Sequence, residues 1–313
     1  MAEHKRLSRD DVEFRKARAE DRPSIERIAA KTWDGEDYLP EVFDGWLQDE
    51  AGLFSVMTLQ NEVVALSKLS QISPTEWWLE GLRVDAKYRG RGLARIMHHY
   101  TVAQARQIAD GVLRFSTADE NAAVLHLAQE SGFHEVARFA RYYLHTLAPS
   151  LLGEWHQLTA ADLSDVQAWL QQSVYFETVQ QSLEERWKWY MMTASVLHER
   201  LESGQVHVWQ PAAGQWGGLA VLNAPHKAGR VTIAYGDALP TYRLSFWQAI
   251  SDLMQPFTVE EVHVKIVNLP EFTTPLKQAG WEKDEDFQAV LLSRDVVLTK
   301  ESPVQYEQLP ALD

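Results

Sequence analysis

The stretch "YRGRGLARIM" sets two arginines and two glycines, Arg89, Gly90, Arg91 and Gly92, directly before a long helical pattern that opens at Leu93 and Ala94. A helix N-terminus offers unpaired backbone N–H groups and the positive end of the helix dipole. Glycines let a ligand approach those groups closely, and arginines add fixed positive charge. The chemistry open to such a stretch is anion binding, above all of phosphate. A P-loop would need Gly-Lys-Ser/Thr after its spacer, and that is absent. A dinucleotide loop would need a third glycine where Arg95 stands, and would follow a βαβ pattern rather than the meander found here. An Arg/Gln-x-x-Gly-x-Gly/Ala loop opening a helix straight after a strand fits at every fixed position. Solvated arginines at a helix boundary are the plainer alternative, and the order of the surrounding elements weighs against it.

Carboxylates supply a second kind of chemistry. Along "TEWWLEGLRV" the two-residue strand period puts Glu76, Trp78, Glu80, Leu82 and Val84 on one face. A carboxylate there can act as a general base, directly or through water. Glu80 is the first choice and Glu76, through a water chain, the second; a structural pairing with an arginine is the competing reading. The loop "DGEDYLP" brings Asp34, Asp37 and Tyr38 together, and no Lys or Arg occurs between positions 32 and 67. Acidity of that kind attracts ammonium groups and suits an amino acid or a polyamine, although a solvated acidic loop explains any one residue as well. No metal is expected. The acids lack calcium-loop spacing, and the adjacent His98 and His99 cannot share one helical face.

These residues need elements to hold them. "VEFRKA" reads as a strand, "AEDRPSIERIAAKTW" and "EVFDGWLQDE" as helices, and "GLFSVMTL", "EVVALSKLS" and "TEWWLEGLRV" as an antiparallel meander. "RGLARIMHHYTVAQARQIA" is a helix, followed by strand "GVLRFST", helix "NAAVLHLAQESGF" and strand "HEVARFARYYL". Beyond a linker around Pro149 and Gly153, the pattern predicts helices over 163–172 and 183–201, then further strands and helices. The ending "VHVKIVN … TPLKQAGW … FQAVLLSRD" repeats "VLRFST … LHLAQESGF … VARFARYYL", so the second half reads as a worn copy of the first. Where the copy should carry the anion loop it has only "GDALPTYRLSF". Two domains, 1–147 and 154–313, follow, as the length of 313 residues also suggests.

Composition narrows the function. The net charge is −14, with −4 over residues 1–150 and −10 over 151–313, which disfavours sequence-independent nucleic-acid binding. The chain has no cysteine, which excludes disulfides and thiolate chemistry. No apolar run approaches membrane-spanning length, and "MAEHKRLSRDD" does not look like a leader, so a cytoplasmic location without membrane partners is expected.

Residues 13–146, and "LRVDAKYRGRGLARIM" most specifically, resemble the GNAT superfamily of acetyl-CoA-dependent N-acetyltransferases. The resemblance implies an α+β fold, a mostly antiparallel central sheet flanked by helices, followed here by a second degenerate GNAT-like domain. It implies acetyl-CoA as co-substrate, its pyrophosphate on the backbone of Arg89 to Ala94. Leu82, Arg83 and Val84 would pair with the pantetheine and place the thioester, with a strand N–H near Leu82 or Val84 as an oxyanion donor. Asn121 matches the position that contacts the pantetheine arm. The family's usual general acid, a tyrosine seven residues further on, is Ala128 here. Either the thiolate leaves unassisted or Tyr142, Tyr143 or His126 substitutes. "TWDGEDYLPEVFDGWL" with "LEGLRV" resembles the histidine N-acetyltransferase group. The expected activity is acetyl transfer to the primary amine of a small molecule such as histidine. The alternatives are a non-catalytic acetyl-CoA-binding regulatory module and a peptide or protein N-acetyltransferase. The second half would cover the substrate side or pair subunits in a homodimer.

Overall fold

The computed structural model describes residues 6–224 and 228–298. The polar start of the chain and the outer limits of both expected domains, at residues 1 and 313, lie outside the described residues. The chain divides into two compact units, neither of them one continuous run. Of the described residues, the first holds those up to Phe115, together with His126–His134 and residues 293–298; the second holds Ser116–Leu125 and those within Glu135–Leu292.

The first unit begins with β1 (Glu13–Lys16), α1 (Arg22–Ala29) and α2 (Leu39–Gln48). Each helix has a proline in its first turn, where the missing N–H costs nothing and the fixed φ suits the helix. A meander follows: β2 (Leu53–Leu59), β3 (Glu62–Ser73) and β4 (Glu76–Val84). β2 and β3 meet at Gln60-Asn61, both left-handed, as a tight two-residue hairpin requires. Then come α3 (Leu93–Ile108), β5 (Gly111–Ala118) and α4 (Ala122–Glu130), followed by β6 (His134–Leu144), which from Glu135 onward belongs to the second unit and pairs antiparallel with residues 262–267 there. The strand order in this unit is β1-β2-β3-β4-β5, antiparallel except for the parallel β4–β5 pair.

Both faces of that sheet are covered. Ile25 and Ile28 of α1 and Leu39, Phe43 and Trp46 of α2 bury against Phe54, Val56 and Leu66. Leu93 and Met97 of α3 bury against Met57, Val64 and Ala65 on the opposite side. The helical spacing of these apolar residues sets the face each helix presents.

The second unit adds β7 (Glu154–Gln157), α5 (Leu163–Leu170), α6 (Val174–Thr178), β8 (Ser182–Glu185), β9 (Lys188–Met191) and α7 (Ala194–Glu202). It continues with β10 (Val206–Gln210), β11 (Gly218–Leu222), β12 (Gly229–Ala238), α8 (Arg243–Met254), β13 (Val259–Val267), α9 (Pro270–Gln278) and β14 (Glu282–Val296). β7, β10, β11 and β12 pair antiparallel in turn, and β12 pairs parallel with β13. This is the same succession of ladder directions as β1 to β5.

One expectation fails here. The helix expected over 183–201 is a helix only from Ala194 onward, and its first part is the β8–β9 hairpin. Leu183 and Trp189, both fully buried, sit among charged residues on the two strands, which suits a half-buried strand pair. The Thr193 side chain, accepting from the Val196 N–H, fixes the later helix start.

Candidate active site

The site is built on β4. Its parallel ladder with β5 joins Glu76–Trp78 to Val112–Arg114 and stops there, while β4 runs on to Val84. On the other edge, Lys68 faces Glu80 but Leu66 faces Arg83, so two steps on β3 match three on β4. That extra residue is a β-bulge. Gly81 makes it possible: its φ is +67°, and a Cβ there would lie 2.5 Å from Cη2 of Trp46. Only glycine admits both the left-handed backbone and the indole.

The bulge corrects the expected face. Leu82 and Val84 pack into the α3-side core, whereas Arg83 comes into phase with Glu80 on the side of α1 and α2. Glu80 is half-buried and accepts a hydrogen bond from the Ser70 hydroxyl, 2.7 Å away. Beneath it Lys68, fully buried, is ion-paired with Asp49.

Asp37 and Tyr38 of the acidic loop converge on Arg83. Asp37 is completely buried and engages Arg83 through both oxygens, Nε at 2.8 Å and Nη2 at 3.4 Å, while also accepting from the Leu39 N–H. The guanidinium lies 4.2 Å from the Trp33 ring centroid and 5.5 Å from that of Tyr38, a cation held between a carboxylate and aromatic faces. Burial pushes the Tyr38 hydroxyl up to about 12, so it stays protonated and available as a donor at neutral pH. Asp37 is thus committed to Arg83 instead of facing an ammonium group. Asp34 is exposed, with φ +54°, at the outer edge of the loop.

At the end of β4 the chain enters the glycine loop. Arg27 pairs with Asp85, and Asp85 caps the next turn through the Lys87 N–H. Arg89 donates to the carbonyls of Val84 and Lys31, which fixes where the loop departs. Gly90 has φ +77° and nothing within 4 Å of where a Cβ would lie. Gly92, φ +85°, caps α3, and Leu93 anchors that helix in the core. Among the described residues, the N–H groups of Gly90 through Arg95 have no backbone or side-chain acceptor. The result is an open row of donors at the N-terminus of a sixteen-residue helix.

Other expected site residues have structural duties. Glu76 is almost fully buried in an ion pair with the equally buried Arg114, at 3.0 Å, too enclosed for the proton transfer expected of it. Asn121 caps α4 by accepting from the Val124 N–H. Ala128 is buried in the core, so nothing at that position can donate a proton. Of the substitutes, His126 is exposed and pairs with Glu130, and Tyr142 is fully buried. Tyr143 donates to Asp284, and burial pushes its hydroxyl up to about 12. Among the described residues no group of three or more metal-ligating side chains comes together, and no described helix is long and apolar enough to cross a membrane.

Sequence reasoning missed the Arg83 side chain, Trp33, Trp46 and the Lys68–Asp49 pair. Gly81 inside the strand is the one signal that pointed to the bulge, and hence to Arg83.

Residues 18–133 match the model of the acetyltransferase (GNAT) family. A histidine N-acetyltransferase of Oreochromis niloticus is 34% identical over 92 residues, 29% of this chain and 27% of that protein. The match therefore spans little more than a quarter of the relative's length. Among solved structures, a GCN5-related N-acetyltransferase from Sphaerobacter thermophilus superposes with a TM-score of 0.61 at 13% identity, over 91% of this chain and 96% of the other. A GCN5-related glucosamine N-acetyltransferase region of a fungal multi-domain GH3 beta-N-acetylglucosaminidase gives 0.62 at 12% identity, over 90% of this chain and 38% of the other. At such identities the likeness is one of fold, the GNAT-like α+β architecture described above.

Proposed function

From the match of residues 18–133 to the acetyltransferase (GNAT) family, we propose that the protein transfers an acetyl group from acetyl-CoA to the primary amine of a small molecule, with histidine the first acceptor to test. The observation that carries the reading is the open row of N–H donors from Gly90 to Arg95, next to a strand that outruns its ladder with β5 and carries a bulge against β3. The loop fits a pyrophosphate: the space beside Gly90 that a side chain would fill is empty, and the backbone N–H groups there have no acceptor among the described residues. The backbone of Arg89 to Ala94 would hold the pyrophosphate, and the unpaired edge of β4 at Leu82 to Val84 the pantetheine arm. Acetyl-CoA supplies the activated acyl group.

The chain's own residues do the rest. Glu80 accepts the proton that the acceptor amine gives up as its nitrogen bonds the acetyl carbon. A β4 N–H near Leu82 or Val84 stabilises the negative charge on the carbonyl oxygen. The thiolate leaves unassisted and is protonated by solvent, since Ala128 offers no donor. Arg83, held by Asp37, presents a fixed cation on Glu80's side of the sheet, suited to a carboxylate on the acceptor. Tyr38 supplies a hydroxyl donor and an aromatic wall. The likeness to the histidine N-acetyltransferase of O. niloticus supports histidine as acceptor. The two halves, 1–147 and 154–313, are read as tandem GNAT-like repeats of which only the first keeps the anion loop.

Ala128 favours a second reading, an acetyl-CoA-binding module without turnover. Incubation with acetyl-CoA and a panel of histidine, other amino acids, polyamines, aminoglycosides and peptides, with products read by mass spectrometry, separates the two. N-acetylhistidine is the expected product. Tight coenzyme A binding with no acetylated product from any acceptor would establish the second reading.

A further inference from the structure

The second unit contains a cavity of about 230 Å³ that the acetyl-transfer reading does not use. It lies among β6, the β8–β9 hairpin, β12 and β13, and most of its wall is charged. Most of those charges neutralise one another. Arg141 is engaged by Asp284 at 2.9 Å, Arg230 by Glu261 at 3.0 Å, and Lys265 by Oε1 of Glu184 at 2.6 Å. Glu185 accepts from Arg200 and from the Tyr190 hydroxyl.

Two groups are left over. The first is Oε2 of Glu184: the side chain is 1% exposed, and this oxygen is buried with no hydrogen-bond partner among the described residues. A buried carboxylate oxygen without a donor is costly, and such atoms are rare in folded proteins. The second is the Arg186 guanidinium, at the hairpin tip, with no partner among the described residues. One carboxylate oxygen without a hydrogen-bond donor and one exposed guanidinium without an ion-pair partner thus belong to residues that line the same small space.

The hairpin is held so as to put them there. Arg186 and Trp187, the two turn residues, have φ of +51° and +71°, a conformation that turns of this kind usually assign to glycine or asparagine. Glu184 Oε1 accepts the Trp187 N–H at 2.8 Å, and Ser116 donates to the Trp187 carbonyl at 2.7 Å, so both sides of the turn are pinned. The Trp187 ring packs on Phe287, centroids 4.7 Å apart, and forms an aromatic wall beside Lys265.

We propose that this cavity binds a small zwitterion of the free α-amino-acid class. The ammonium group donates to Glu184 Oε2, the carboxylate pairs with Arg186, and the side chain lies against Trp187. The volume falls below the roughly 300–1,000 Å³ of sites for drug-sized ligands, which restricts the occupant to a small metabolite. This inference does not depend on the acetyl-transfer reading, since every residue it uses belongs to the second unit.

Hydrogen–deuterium exchange of the full chain, titrated with free α-amino acids, their methyl esters and their N-acetyl derivatives, tests it. Free amino acids should protect the peptide spanning residues 182–191, and the esters and N-acetyl forms, each lacking one charge, should not. Glu184→Gln and Arg186→Gln should each raise the dissociation constant read from that protection at least tenfold. Arg186 is exposed, so its substitution leaves the fold intact even if loss of the Lys265 partner destabilises the Glu184 variant. Gly92→Asp, which targets only coenzyme A binding, should leave the protection unchanged. If no amino acid protects the hairpin, or protection survives both substitutions, the cavity is not such a site.

Discussion

Arg83 and Asp37, forty-six positions apart, form a doubly hydrogen-bonded pair whose carboxylate has no exposed surface and whose guanidinium is 13% exposed. The pair ties the acidic loop to the bulged part of β4. Removing one partner leaves the other buried and uncompensated, a loss of about 3 kcal/mol. Asp37→Asn should therefore lower the denaturant midpoint, and the double variant with Arg83→Met should recover part of the loss. The Michaelis constant for the amine should rise while that for acetyl-CoA stays put. Equal stability of Asp37→Asn and the parent would show that the pair is not coupled.

Gly92→Asp places a side chain and a negative charge at the cap of α3, where the pyrophosphate must approach. Coenzyme A affinity measured by calorimetry should collapse, by far more than the roughly 1 kcal/mol of stability that a left-handed side-chain-bearing residue at φ +85° costs. Unaltered affinity would remove the glycine loop from the cofactor site.

Glu80→Gln keeps the Ser70 hydrogen bond but removes the base. Turnover should fall by about 10²-fold or more. Acetyl-CoA binding should stay unchanged. A variant with the parent's rate would make Glu80 a structural carboxylate.

Gly81→Ala would drive a Cβ to 2.5 Å from the Trp46 ring and force a left-handed alanine. Urea unfolding should show a loss of about 1–3 kcal/mol, and Trp46→Leu in the same chain should return part of it. Additive losses in the double variant would mean that the bulge does not depend on the indole.

His98 gives the fold a defined acid sensitivity. Burial, with the neighbouring charges of His99 and Arg294, lowers its pKa from 6.5 to about 4, and its ring bonds the Ser131 hydroxyl at 2.7 Å. The unfolded chain then binds one proton more than the folded chain between those values, so stability rises with pH across this window. The contribution, at most about 3 kcal/mol, is fully present above pH 6.5 and is lost as pH falls towards 4. His98→Gln should flatten the stability difference between pH 7.5 and 5. An undiminished difference would assign the acid sensitivity to other groups.

The anion loop was legible in the sequence because its chemistry is local. Two glycines, an arginine and the first turn of a helix lie within six residues, and the donors belong to the backbone of those same residues. The helix faces of Ile25 and Ile28, or of Leu93 and Met97, follow likewise from spacing that the chain carries by itself. Tertiary structure decided the rest. A strict two-residue period would have aligned Leu82 and Val84 with Glu80, but the register against β3 adds a residue at Gly81 and brings Arg83 to that side. Glu76 gave no sign of its partner, since Arg114 lies on another strand. The charges of residues 184–188 suited a helix as well as a hairpin until packing against Phe287 and Ser116 chose between them. Which carboxylate is free to react depends on which cation is folded beside it, and that pairing is fixed by contacts between distant segments, which no local pattern encodes.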